Sequence, residues 1–176
     1  MAAIQSNLIP AQHSDFDFFY TLYMHLEVNR YLLYDLMPSD AFKPIYDKLI
    51  AQRVLFRYVE NEIALGMCKL VFQEHRNSHI IYLGGVAIDP QQAGKGVGYR
   101  MMQAVQQYAI LHNRKRIELS VATENLAAIG LYKKAGFVEE GIFRKFSWLK
   151  ATDEYLDEMM MAWMPEFMMM TNTIER

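Results

Sequence analysis

Apolar residues recur with two distinct periods along the 176-residue chain, and the switches between them mark out its elements. Phe16, Phe19, Tyr20, Tyr23 and Met24 fall at helical spacing, and Ser14 and Asp15 just ahead of them are residue types that cap a helix. A second helix is predicted from about Asp40 to Arg53. The run from Val54 to Val59, the turn-like Glu60-Asn61-Glu62 and the run from Ile63 to Phe72 read as a hairpin of two strands. A polar stretch from Gln73 to Ser78 then leads to a strand over Ile80 to Ile88. Helical spacing returns from Tyr99 to His112 through Met102, Val105, Tyr108 and Ala109, with His112 and Asn113 suited to its end. Ile117 to Val121 reads as a strand and Leu126 to Lys134 as a short helix closed by Gly136. Two last strands are predicted near Gly141 to Trp148 and Tyr155 to Met164, joined by a polar turn. Interleaved in this order, the elements predict an α/β fold on a mixed sheet.

Length and composition narrow the class. One domain with a substantial core fits 176 residues and two ordinary ones do not, so a single domain over 1–176 is expected, with about 165–176 as a C-terminal tail. The five prolines fall singly, at the expected element boundaries. A net charge of -2 with scattered basic residues argues against a nucleic-acid partner. No apolar run approaches the roughly 20 residues that span a bilayer, so no membrane partner is expected. The single cysteine, Cys68, has no partner for an internal disulfide, and the N-terminus shows no basic segment followed by an apolar one. Both point to a cytoplasmic location, with Cys68 a buried, inert thiol. His75 and His79 flank a polar loop without a third ligand at metal spacing, so no metal is expected. The thirteen methionines, among them Met159 to Met161 and Met168 to Met170, read as flexible core filler and as an apolar tail able to form a homodimer.

The stretch with the most chemistry in it runs from Val86-Ala87-Ile88-Asp89-Pro90 into Gly94-Lys95-Gly96-Val97-Gly98 and on into a helical pattern. Glycines let the backbone approach a ligand closely, and the first turn of the helix offers unpaired N–H groups at its positive end. Such a junction holds phosphate. Two phosphate loops are excluded by spelling: the P-loop needs Lys-Ser/Thr after its last glycine, where Gly96 is followed by Val97, and G-x-G-x-x-G fails because Tyr99 occupies the third glycine's place.

What remains resembles the pyrophosphate loop of the GNAT family of N-acetyltransferases. Downstream, the run from Arg116 to Val121, Asn125, and the run from Ala127 to Phe137 are similar to that family's second signature, a strand, an asparagine and a helix ending in L-Y-x-x-x-G-F. The likeness covers about Ile80 to Met161 well and the first seventy residues only in outline. It implies a mixed, mostly antiparallel sheet flanked by helices. The family's fourth and fifth strands, here near Ile80 to Ile88 and Ile117 to Val121, would splay apart to admit a pantetheine arm. It also implies acetyl-coenzyme A as cosubstrate. Gly94, Lys95, Gly96, Val97, Gly98 and Tyr99 would hold the pyrophosphate, with Lys95 either paired to a phosphate or solvated. The family usually carries Arg or Gln before the first loop glycine. This chain has Ala93, which leaves the work to backbone donors.

By the same resemblance, Val86, Ala87 and Ile88 would bind the pantetheine through their backbone, beside a bulge at Gly84-Gly85 that serves either the site or the sheet alone. Asn125 would be an amide partner of the pantetheine, a helix cap, or both. Tyr132 would protonate the departing thiolate; the competing reading is a helix tyrosine packed on the sheet. Ser120 stands where some relatives place a glutamate base, which leaves Glu118 or a water chain for that task. Glu27, Tyr31, Tyr34 and Asp35 would line the acceptor site or belong to an aromatic-rich core. The activity implied is acetyl transfer to a primary amine of a free amino acid or other small molecule, by direct attack in a ternary complex. Acetylation of protein N-termini and a non-catalytic acyl-coenzyme A-binding regulator are the alternatives.

Overall fold

Ile117, Leu119 and Val121 are buried while Glu118 and Ser120 between them are half-buried, the two-residue alternation that a one-faced strand requires. The same pattern organises the rest of the computed structural model, which describes residues 7–165. In chain order come β1 (Leu8–Pro10), α1 (Phe16–Tyr23), α2 (Leu26–Asn29), α3 (Ser39–Ala51), β2 (Leu55–Glu60) and β3 (Ile63–Phe72). β4 (Ile80–Ile88), α4 (Val97–Leu111), β5 (Arg116–Ala122), α5 (Leu126–Lys134), β6 (Val138–Leu149) and β7 (Glu154–Trp163) follow. The strands form a seven-stranded sheet in the order β1-β2-β3-β4-β5-β7-β6. β1–β2, β2–β3, β5–β7 and β6–β7 pair antiparallel, whereas β4 and β5 run parallel. Their parallel ladder covers Ile80 to Tyr82 against Arg116 to Glu118 and goes no further. This is the mixed, mostly antiparallel sheet with a parting fourth and fifth strand that the signatures implied.

The chain divides into two compact units, one drawn from Met1–Leu70 and Gly84–Ala104, the other from Val71–Leu83 and Val105–Arg176. In the first, α1 and α3 supply Phe19, Leu22, Tyr23, Phe42, Tyr46 and Leu49 to a core completed by Leu55, Met67 and Ala87 of the strands. Its rings are interlocked: Phe42 lies 5.2 Å from Tyr23, and Tyr46 lies 5.4 Å from Phe16. The Tyr46 hydroxyl, carried inward by that packing, donates to the Gln12 carbonyl at 2.6 Å. In the second unit the Gln106 side-chain amide is buried and donates to the Ala135 carbonyl at 2.6 Å, which satisfies it and ties α4 to the end of α5.

Several expectations are corrected in detail. β1 and α2, three and four residues long, carry too short a pattern to announce themselves. Ser14 and Asp15 do not cap α1 through their side chains; His13–Asp15 is a 3-10 turn, and the Asp15 carboxylate accepts from the Gln12 amide at 2.8 Å and pairs with Arg57 at 3.0 Å. Pro44 lies inside α3 rather than at a boundary. α4 starts at Val97, two residues before the expected Tyr99, because Gly98 continues the helix after Gly96 turns the chain. β6 begins at Val138, and β7 ends at Trp163. Met168 to Met170, the methionine-rich tail, lie outside the described residues.

The hairpin of β2 and β3 shows how the turn chemistry works. Glu60 pairs with Ile63, and Asn61 and Glu62 between them both take positive φ, 49° and 67°, the two-residue turn whose twist suits antiparallel strands. At the far edge, the register of β6 on β7 jumps from Phe143 to Ser147, with Lys145 at φ 50° in the bulge.

Candidate active site

β4 ends at Ile88, and Asp89 then starts a 3-10 turn over Pro90–Gln92 by accepting the Gln91 amide on its carboxylate at 3.0 Å. The amides of Gln92, Ala93 and Lys95 are used within this turn, donating to the carbonyls of Asp89, Pro90 and Gln92. Gly94 and Gly96 both stand at φ 74°, a conformation that costs a glycine nothing. A Cβ on Gly94 would meet nothing within 4 Å, so the loop is open on that side. α4 starts at the next residue after Gly96, and its first backbone bond runs from the Arg100 amide to the Gly96 carbonyl at 3.2 Å. The amides of Val97 and Gly98 therefore have no helical carbonyl to reach, and the positive end of a 15-residue helix stands behind them. Donors, charge and open space together fit a pyrophosphate.

Side chains add little charge to this cradle. Ala93 contributes none, and the exposed Lys95 ammonium rests 3.3 Å from the Gln92 side-chain oxygen. Tyr99 is half-buried in the first turn. Arg100, which sequence reasoning passed over, acts as the loop's brace. Its Nε and Nη2 donate to the two oxygens of Glu60 at 2.7 and 3.0 Å, and its Nη1 donates to the Lys95 carbonyl at 3.0 Å. The loop is thereby anchored to the β2–β3 hairpin. The Arg100 guanidinium, then the Tyr58 hydroxyl, hold the Glu60 carboxyl below the usual range. The legible signal was an arginine one helical turn past the last φ-positive glycine.

In the same unit, Ala87 is buried in the core while Val86 and Ile88 are half-buried, so the backbone between them alternates as a strand should. Gly85 takes φ 56°, and a Cβ there would come within 2.9 Å of the Tyr23 hydroxyl oxygen, which ties this irregularity in β4 to the aromatic core. Gly66 of β3 matters as much: a Cβ on it would lie 2.7 Å from Ile88 Cδ1 and 2.9 Å from the Ala87 carbonyl oxygen. Its absence lets the end of β4 sit where it does. Of the residues expected at the acceptor site, Glu27, Tyr31 and Asp35 are exposed. Tyr34 packs its ring 5.5 Å from Tyr23 and 6.0 Å from Phe42, and burial raises its phenol. Cys68 is free and fully buried, its thiol pushed up by desolvation.

The second unit holds Asn125, Tyr132 and Ser120. Asn125 accepts the Ala128 amide on its side-chain oxygen at 3.1 Å and so caps α5, leaving its amide nitrogen for another partner. The L-Y-x-x-x-G-F spelling has a structural reason. Gly136, at φ 87°, ends α5; its amide donates to the Lys133 carbonyl at 2.9 Å and that of Phe137 to the Tyr132 carbonyl at 3.0 Å. This is the Schellman arrangement, in which the residue past the glycine also packs on the helix. Here that contact is Phe137 on Tyr132, ring centroids 5.8 Å apart, with Tyr132 only 6% exposed. Ser120 Oγ lies 3.0 Å from the Tyr82 hydroxyl, a contact between strands that sequence reasoning missed. Glu118, the candidate base beside it, is paired with Arg116 at 3.1 Å. Among the described residues no three His, Cys, Asp or Glu side chains gather as a metal site.

Residues 18–137 match the family described as acetyltransferase (GNAT) family. The chain belongs to the GNAT family. Over 71 residues, 40% of this chain and 47% of the relative, it is 37% identical to the spermine/spermidine N(1)-acetyltransferase of Bacillus subtilis. Over 108 residues, 58% of this chain and 60% of the relative, it is 30% identical to the spermidine N(1)-acetyltransferase of Vibrio cholerae. These matches thus span about half the length of the curated relatives. The fold is shared more widely. A crystal structure of spermidine N-acetyltransferase from Vibrio cholerae, in complex with CoA and spermine, superposes with a TM-score of 0.76 at 23% identity, covering 90% of this chain and 95% of that one.

Proposed function

We propose that the protein transfers an acetyl group from acetyl-coenzyme A to a primary amine of a small molecule, within a ternary complex. The observation that carries this reading is the glycine turn at the start of α4, where the Val97 and Gly98 amides head the helix and the bracing Arg100 is already engaged by Glu60. Membership of an acetyltransferase family over residues 18–137 supports acyl-transfer chemistry. The activities of the relatives, on spermine and spermidine, support a small cationic acceptor, as does a net charge of -2.

The cosubstrate supplies the activated acyl group, and the chain's residues do the rest. The amides of Gly96, Val97 and Gly98 hold the pyrophosphate. The backbone of Val86 to Ile88 grips the pantetheine, and an amide directed at the thioester oxygen stabilises the charge that develops there. Tyr132, locked by Gly136 and Phe137, gives its phenol proton to the departing thiolate. Cys68, buried with its thiol pushed up, offers no route through an acyl-enzyme. A free thiol of this kind also supports a cytoplasmic setting.

Calorimetric titration with acetyl-coenzyme A tests the cradle. Binding is expected for the parent and severe loss for Gly96→Glu, which puts a bulky anion where the pyrophosphate sits. Thiol release with spermine, spermidine and the free L-amino acids identifies the acceptor, and no release with any of them would count against transferase activity.

A further inference from the structure

The geometry points to Ser120 and Tyr82 as a two-hydroxyl proton relay that frees the acceptor amine for attack, an inference that rests on the transferase reading above. An ammonium has no lone pair, so a proton must leave before the carbonyl carbon is attacked. Three carboxylates on this part of the sheet already hold hydrogen-bonding partners. Glu118 is paired with Arg116 at 3.1 Å, and the same guanidinium donates to Glu140 at 2.8 Å. Glu158 of β7 accepts the Ser147 hydroxyl. The same strands also hold a pair of hydroxyls, Ser120 Oγ and Tyr82 Oη, 3.0 Å apart and both half-buried.

Their placement is specific. Tyr82 is the last residue of β4 paired with β5, opposite Glu118, and Ser120 lies two residues past that rung on the same face. Past the Tyr82–Glu118 rung the two strands are linked by this pair of side-chain hydroxyls. A hydroxyl can accept one proton while releasing another, so neither residue needs to become charged. The ammonium proton passes to Ser120 Oγ as the serine's own proton passes to Tyr82 Oη, and the phenol proton leaves to water. The freed lone pair forms the C–N bond. The C–S pair then departs on the thiolate, which takes the Tyr132 proton, and the second amine proton restores that phenol. One proton is released to solvent per turnover. On the face of β5 and β7 that carries Ser120 stand Arg116, Glu118 and Glu158, and Arg116 also pairs with Glu140 of β6, a net negative set that favours a cation nearby. Ser120 is the catalytic group in this scheme and Tyr82 its positioning partner.

The experiment measures kcat/KM against pH for the full chain, using whichever of spermine, spermidine and the free L-amino acids turns over fastest. Tyr82→Phe and Ser120→Ala are each expected to lose about 10²-fold at neutral pH. That deficit should shrink as pH rises toward the ~10 at which an alkylamine sheds its proton unaided. The double variant should be no worse than either single one, since a relay broken once is broken. Ser120→Thr, which keeps the hydroxyl, should retain most of the rate, and acetyl-coenzyme A affinity should be unchanged throughout. A deficit of the same size at every pH, or a Ser120→Thr rate as low as that of Ser120→Ala, overturns the relay. If the parent works and the variants match it, the relay alone is wrong; if the parent acetylates none of these amines, the transferase reading falls and the relay with it.

Discussion

The Phe137 amide donates to the Tyr132 carbonyl at 3.0 Å while the two rings pack 5.8 Å apart, so one glycine-ended helix terminus sets both the backbone and the ring of Tyr132. Gly136 makes this possible at φ 87°. Gly136→Ala should cost roughly 1–2 kcal/mol, the penalty for an alanine held left-handed, and should lower kcat as Tyr132 shifts. Gly141→Ala is the matched control, since a Cβ there meets nothing within 4 Å. Thermal melts and initial rates on both variants make the comparison.

Tyr132→Phe keeps the ring that packs on Phe137 and removes one hydroxyl. If the phenol delivers the proton to the thiolate, kcat should fall by about 10²- to 10⁴-fold with little change in cofactor affinity. A structural tyrosine would leave the rate within a few fold and move the melting temperature instead, by the ~1 kcal/mol of a typical hydrogen bond. Both quantities are read on the same preparation.

Gly66→Ala should weaken acetyl-coenzyme A binding without touching the glycine loop. The added methyl would press on Ile88 Cδ1 at 2.7 Å and on the Ala87 carbonyl oxygen at 2.9 Å, and the carbonyl is backbone that cannot swing aside. Overpacking of this kind costs typically about 1–3 kcal/mol of stability. Calorimetry and a denaturant titration would show the two losses together; unchanged affinity would mean that the end of β4 takes no part in binding.

Acid should destabilise the fold through two arginine-held glutamates. Glu60, bonded by Arg100, and Glu140, bonded by Arg116, both have carboxyls lowered from the ordinary value. A carboxyl lowered on folding stabilises fully above its unfolded value, about pH 4.3 for glutamate, and that stability is lost as pH falls through the lower folded value. Melting temperature should therefore drop below about pH 4.3. In Arg116→Met the drop should be smaller, because the variant has already lost its part at neutral pH.

How far the chain could be read without its structure depends on how local each pattern is. Ile80–Ile88 and Leu126–Lys134 fall where their periodicity put them, since strand alternation in one and a cap-to-glycine span in the other are complete within the element. The turn at Gly94 and Gly96 into α4 was equally legible, because its geometry is written in five consecutive residues. Tyr82 and Ser120 were not. They are 38 residues apart, and only the register of the parallel ladder makes them neighbours. Arg100 and Glu60, 40 residues apart, were hidden for the same reason. Tyr34 shows the opposite difficulty: an aromatic residue beside acidic ones suits a binding site and a core alike, and its ring packs with Tyr23 and Phe42.

The bulge in β6 bears on how the chain behaves in a crowded solution. β6 is the outermost strand of the sheet, and Ile142, Phe143, Phe146 and Trp148 along it are 41–57% exposed. A flat edge of that composition would template the growth of foreign strands. The jump in register between Phe143 and Ser147, with Lys145 turned to φ 50° and its amide given to the Asp157 carboxylate at 2.7 Å, interrupts the row of backbone groups midway. An incoming strand can match the edge on one side of the bulge or on the other but not across it. The irregularity breaks the continuity on which edge-to-edge growth depends.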